Sequence, residues 1–507
     1  MKFRPARPKF LARCLWLQKC AGLIALAVLL PSGRLTAADP LPVDPIEGTW
    51  TGTIQAPQGV SEEIGFTFFR TKKGLLTFRL NFPAMFTYDA AFGVPVETDG
   101  QGHYEMVEAI DTHLRLEGDR LIGTFAQGKL PLELKRGGSF LPKPPAPHYP
   151  AAPAPVWTYA LGAPTWAPPV VQDDVVYVGT TDGRFHAVRA ADGTEVWTWP
   201  GPNPIDGRAV LDDDRVYFID RRVNLVALDR RTGSRRWSTA LHDETLAGQP
   251  APDNPTFNRR TAVPFLLDGV VYAGSSDGGL YAVNAVTGRT LWRHDAKSPI
   301  FSGISLRGAD TLLFGCMDGS VILLDRQTRQ ELLRLKTGGG VVTTPLVAGD
   351  KLIVGSRDYM LYGFNLADGS LAWRFSYWFS WVESTPVLDA GVVYVGASDY
   401  RRVTALDPAT GRPSWGTDVR GADWGSPLVT VDTVFIGTIA QNLPGTVIDH
   451  TGGIVALDRR SGAVKWQLFA PKPDEGKFGG YAGTLALAGD KIIAAGFDGR
   501  LIALPVR

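Results

Sequence analysis

An eleven-residue segment recurs seven times between residues 187 and 466: AVRAADGTEVW, ALDRRTGSRRW, AVNAVTGRTLW, LLDRQTRQELL, GFNLADGSLAW, ALDPATGRPSW and ALDRRSGAVKW. Six copies end in Trp four residues after a Gly; in the fourth, Arg329 and Leu333 take those places. The copies end at 197, 237, 292, 333, 373, 415 and 466, in steps of 40, 55, 41, 40, 42 and 51. A basal period near 41 is that of a four-stranded propeller blade. The two long steps mark insertions near 243–260 and 440–453.

Each repeat has one grammar. A Pro-containing apolar strand (STPVLD at 384–389) precedes a β-branched strand ending in Gly (VVYVG at 392–396). A hairpin of Asp-Gly type leads to a third strand, and a Thr-Gly turn delivers the Trp strand. An eighth copy begins at Gly483 and stops at Arg507 without its Trp strand. Val156–Ala160 (VWTYA) is a Trp strand with nothing before it. Joining the two closes a ring and removes both sheet edges, which predicts eight blades. Trp157, Trp197, Trp237, Trp292, Trp373, Trp415 and Trp466 are then structural residues that dock blade on blade.

The segments resemble the tryptophan-docking repeat A-x-D-x-x-T-G-x-x-x-W of the pyrroloquinoline-quinone (PQQ)-like β-propeller family. The resemblance covers 156–507. It implies the propeller fold but is shared by quinoprotein dehydrogenases and by the non-catalytic, cofactor-free BamB-type propellers of outer-membrane assembly. The dehydrogenases imply PQQ held under a ring of two adjacent cysteines, and Ca²⁺ or a lanthanide held by Glu, Asn and Asp. This chain has no Cys-Cys pair, no Cys-x-x-Cys-His and no long blade insertions for a lid. In style it resembles the non-catalytic relatives. No cofactor is expected, PQQ with Ca²⁺ being the alternative.

Upstream of the ring, residues 1–38 carry seven Lys/Arg and no acid, with an apolar run AGLIALAVLL at 21–30. Ten apolar residues are too few to span a bilayer, so the segment reads as a secretory signal. Export to the periplasm or cell envelope, soluble after signal removal, is the expectation. Removing it leaves Cys316 as the one cysteine, in a strand pattern that predicts an inert thiol, and excludes intrachain disulfides. The remaining chain has six more acids than bases, which argues against nucleic-acid binding. Residues 44–136 alternate as seven or more short strands, a small antiparallel barrel or sandwich. The Gly48-Thr49-Trp50-Thr51-Gly52 opening resembles small lipocalin-type barrels. Residues 137–155 form a Pro-rich linker, which predicts a semi-rigid polyproline spacer.

No phosphate loop, nucleophile elbow or zinc spacing is present. His450 beside Asp449 reads as solvated. Asp173-Asp174 and Asp212-Asp213-Asp214 read as hairpin turns. The face where each blade's innermost strand begins is the place for ligands. There the sequence offers Asp206, Arg208, Asn258 to Arg260, Thr343, Glu383, Asp423, Trp424 and Lys477 to Tyr481. An aromatic run, Phe375, Tyr377, Trp378, Phe379 and Trp381, lies nearby, of which alternation buries half. Arg208, Arg260, Glu383, Asp423, Trp424, Trp378 and Tyr481 are the expected partner-binding residues. The leading expectation is a monomeric, non-catalytic scaffold module for an envelope protein or peptide. A PQQ- and metal-dependent dehydrogenase, and a carbohydrate-binding or carbohydrate-active protein with a polysaccharide partner, are the rivals.

Overall fold

A computed structural model describes residues 43–506 except 57–58, 86, 92–93, 107–109, 126–129, 143–148, 243–261, 379, 399 and 442–450. The described residues fall into two compact units, one within 43–142 and the other within 149–506. The signal-like segment 1–38, Arg260 and His450 lie outside the described residues.

In the first unit nine antiparallel strands, numbered along the chain, lie side by side in the order 4-3-2-1-9-8-7-6-5. Residues 94–96 bond back to the third strand, through Thr77 Oγ1 to Val94 O (2.7 Å) and Val96 N to Leu76 O (2.9 Å). This brings the two ends of the series together. Alternate residues fill the interior: Phe66, Phe68, Phe78 and Phe82 are fully buried with Trp50 and Phe125. The Trp50 indole donates to Ile46 O at 2.7 Å, and the Arg136 guanidinium lies 4.2 Å from its ring centre. Residues 137–140, expected in the linker, belong here. Gly137 N donates to Thr49 O (2.7 Å), and a Cβ on Gly65 would lie 2.4 Å from the Phe140 ring.

The second unit is the ring. Seven sheets at 170–200, 210–240, 265–295, 304–336, 346–376, 387–418 and 428–469 each hold four strands in sequential antiparallel order, innermost strand first. The seventh gains a fifth strand, Phe478–Gly480, paired with Thr433–Gln441. The eighth sheet closes as the sequence predicts: Trp157–Ala160 pairs with Arg500–Pro505, Trp157 opposite Ala503 and Ala160 opposite Arg500. The linker is shorter than its proline content suggests. Residues 150–152 lie along the seventh blade, with Gln467 N donating to Pro150 O (3.1 Å) and Ala152 N to Gln467 O (3.3 Å). Proline lacks only its N–H, so its carbonyl still takes part in pairing.

Trp docking follows one geometry. The indole N–H of Trp157, Trp197, Trp237, Trp373 and Trp415 donates to Ala190, Arg230, Ala285, Pro408 and Arg459 carbonyls of the next blade, at 2.9–3.1 Å. The ring lies on the turn Gly of that blade. The turn takes φ of +67° to +76° at Gly193, Gly233, Gly288 and Gly411, where any Cβ would be within 2.7 Å of the indole. Glycine is needed there for both conformation and space. A second fastener was not read from the sequence. Arg230, Arg326 and Arg459, each following the repeat's Asp, reach back to Asp173, Asp268 and Asp389 of the preceding blade. Two of them also meet a tyrosine hydroxyl, Tyr177 and Tyr394, at 3.2 Å.

Candidate mouth cavity

Glycine ends the second strand of four blades and lies in or just after it in three more, and what rests on it organises the mouth. Ile205, Ile300, Val341 and Val382, each from the next blade, lie where Cβ atoms on Gly179, Gly274, Gly315 and Gly355 would go. Asp423 and Tyr481 hold the same place against Gly396 and Gly437. From each such plug the chain runs extended into the innermost strand. Alternation then presents every second residue to the channel.

The result is a cavity of about 210 Å³ walled by all eight blades. Its first ring is Trp166, Asp206, Val263, Phe301, Val342, Glu383, Trp424 and Ala482, one from each blade. Two residues on, Pro168, Arg208, Gly303, Thr344, Thr385, Ser426 and Thr484 form a second ring. Intervening hydroxyls serve the blade. Ser302 Oγ and Thr343 Oγ1 each bond both backbone groups of a strand-end glycine, Gly315 and Gly355.

Of the expected partner-binding residues, Arg208, Glu383 and Trp424 line this cavity together, with Asp206. Three others do not. Tyr481 is 4% exposed inside a core cluster with Phe435, Leu485 and Ile492. Asp423 is fully buried, its Oδ1 accepting from Ala397 N at 3.1 Å. Both are plugs rather than channel-facing residues. Trp378, expected at the mouth, is 2% exposed beside the buried Phe375 and Tyr377, while Trp381 is half-buried. Thr343 missed the channel by one position; Thr344 faces it. Lys477 is exposed and paired with Asp474.

The sequence reading overlooked Trp166. It stacks on Trp424 with ring centres 5.5 Å apart and planes 13° off parallel, backed edge-on by Phe497 at 4.5 Å and Phe478 at 5.2 Å. The signal was its place two residues before Pro168, in the segment leading into the first innermost strand.

Charges in the wall are largely settled. Asp206 Oδ2 meets Arg221 Nε at 2.5 Å. Glu383 Oε1 takes both Nε (2.8 Å) and Nη2 (2.7 Å) of Arg357, whose guanidinium lies 4.7 Å from the Trp381 ring centre. Arg208 is different. Its side chain is open to the cavity and has no ion pair or hydrogen bond among the described residues. Crowding by the wall lowers its pKa through desolvation, but arginine stays cationic.

These residues do not fit a metal–quinone centre. A tricarboxylate needs several cationic or amide donors and its metal two or more oxygen ligands. Among the described residues Arg208 is the one cation lining the cavity, the lining carboxylates are bound to arginines, and no group of three or more His, Cys, Asp or Glu suits a metal. Cys316 is fully buried among blade residues, and burial pushes its thiol up to about 12.

Eight four-stranded blades joined by docked tryptophans define a propeller of the PQQ-like repeat class. A family model described as "Outer membrane protein assembly factor BamB" matches residues 151–289, 276–379 and 378–507, and the chain belongs to that family. It is 23% identical over 389 residues to outer membrane protein assembly factor BamB of Moranella endobia, covering 69% of this chain and 90% of that one. The corresponding relative from Nitrosomonas eutropha is 29% identical over 182 residues, and the match spans 42% of its length. A crystal structure of BamB from Moraxella catarrhalis superposes with a TM-score of 0.53 at 18% identity, over 70% of this chain and all of that one. Quinoprotein alcohol dehydrogenase PedH of Pseudomonas putida also matches, at 29% over 157 residues and 24% of its length.

Proposed function

We propose that the protein is an exported, non-catalytic propeller that serves as a binding module in outer-membrane protein assembly, engaging a protein or peptide at the mouth cavity. The observation that carries this is the state of the mouth's charges. Glu383 and Asp206, the residues placed to ligate a metal or act as bases, are each neutralised by a dedicated arginine. What remains open among the described residues is a walled cavity with one cation and an aromatic side, which is recognition chemistry. The family points the same way. No cofactor is required by this reading.

The test is photo-crosslinking in intact cells, with the reactive group at Thr344 or Thr385 in the mouth, or at Thr232 or Thr410 in the turns at the other end of the blades. Adducts with an envelope protein from the mouth positions alone are expected. Equal adducts from both ends, or none from the mouth, would overturn the assignment.

A further inference from the structure

The second ring of the cavity has a shape that the first lacks. Apart from Arg208, it consists of Pro, Gly, Thr and Ser residues. One long cationic side chain therefore shares a recess lined by small residues, and hydroxyls at Thr344, Thr385, Ser426 and Thr484 are distributed around it. An arginine open to a cavity and lacking a protein partner retains its full capacity for an external anion.

The charge and volume limit that anion. Asp206 and Glu383 are each held by an arginine, so the wall's unbalanced charge is the single positive charge of Arg208, and a dianion such as phosphate monoester would leave one negative charge unmatched. A single carboxylate matches the guanidinium fork without that excess. The stacked Trp166–Trp424 pair supplies an apolar wall to the same cavity, which suits a hydrocarbon or aromatic group attached to the carboxylate.

We propose that the mouth cavity binds a single carboxylate carried on an apolar group, with Arg208 pairing the carboxylate and the Trp166–Trp424 wall seating the apolar part. This rests on the mouth being the binding face. Two sources offer the chemistry: a small apolar acid, or the free C-terminus of a peptide with an apolar last residue.

The full chain is titrated by calorimetry with 3-phenylpropionate, its neutral analogue 3-phenylpropanol, and a tetrapeptide ending in Phe with a free or amidated C-terminus. At least one carboxylate probe should bind, and roughly tenfold or more tighter than its uncharged counterpart, the loss expected for a charge-assisted hydrogen-bonded pair. Arg208→Gln should remove that preference and Arg208→Lys retain part of it, with thermal melts confirming the fold. Binding by 3-phenylpropionate alone identifies a small acid; binding by the free but not the amidated peptide identifies a chain end. Equal affinity for charged and uncharged probes, unchanged affinity in Arg208→Gln, or no binding by any probe overturns the proposal. Should Arg208→Gln fail to fold, Ser426→Asp, which adds a carboxylate to the same ring, is expected to weaken the acid selectively; no change there overturns it too. Mouth crosslinks that persist in Arg208→Gln would leave the binding module standing while the carboxylate reading fails.

Discussion

The indole of Trp237 fills the space that a side chain on Gly288 would need: a Cβ there would lie 2.6 Å from the ring. The backbone at Gly288 also has φ +72°. Trp and Gly are thus two halves of one joint, contributed by adjacent blades. The fourth repeat tests this. Arg329 replaces the Gly at φ +62°, its guanidinium 5.9 Å from the Trp292 ring centre, and Trp292 is the one tryptophan facing such a turn with no indole hydrogen bond among the described residues.

Trp197→Ala should cost about 3–5 kcal/mol, the range for truncating a buried large aromatic. Gly288→Ala should cost about 1–2 kcal/mol from backbone strain alone, and more if the indole cannot shift. Arg329→Gly, relieving that strain, should be neutral or stabilising. Denaturant melts of the three variants provide the comparison; destabilisation by Arg329→Gly would contradict the joint.

Deleting 151–161 should lower the melting temperature markedly. It strips the outer strand from the eighth blade and the Trp157 joint with it, and exposes an apolar edge. An unchanged melt would be incompatible with the closure described.

Stability should fall as pH drops below 6.5. His186 is buried at the seam between blades eight and one, with Tyr159 Oη 3.3 Å and Thr198 Oγ1 3.0 Å from its Nδ1. Burial lowers its pKa to about 4, against the raising effect of the Glu195 carboxylate. The unfolded chain binds a proton near 6.5 that the folded chain refuses. The contribution is therefore complete above pH 6.5 and is lost towards pH 4, at most about 3 kcal/mol. His186→Gln should flatten that slope in urea titrations between pH 7 and 4.

Trp378→Ala should destabilise as much as a joint tryptophan, because its ring is 2% exposed. A loss well under about 1 kcal/mol would instead place it at the surface.

PQQ with Ca²⁺ should show no micromolar binding by calorimetry, and the mixture should not reduce a dye with simple alcohols. Tight binding abolished by Glu383→Ala would reverse the non-catalytic reading.

The ring was legible because its determinants are local and repeated. The repeat recurs seven times, six of them with the Gly-to-Trp spacing, so each copy checks the others, and the orphan strand at Trp157 has only one place to go. The mouth was less legible because facing depends on register. A shift of one residue turns a channel-facing side chain into the blade, and this separates Thr344 from Thr343. Asp423 and Tyr481 misled for a related reason. Polar and aromatic residues there take a position that Ile205, Ile300, Val341 and Val382 fill elsewhere, so their chemistry suggested a site where their place is a plug. Arg208 and Glu383 were found because they alternate correctly from their plugs. Arg230, Arg326 and Arg459 were passed over because their partners lie in the preceding blade, 57 to 70 residues away.

The pairing of Trp157 with Ala503 also fixes a chronology. Synthesis delivers the first of these strands long before the second, so the early strand must wait, unpaired, while seven sheets form beyond it. Only when the final hairpin arrives can the circle lock, and the entropy of joining such distant points is spent at the end. Once locked, neither terminus of the ring can fray without opening a completed sheet. Slow to assemble and slow to let go, such a ring owes its lifetime to the arrival of its last few residues.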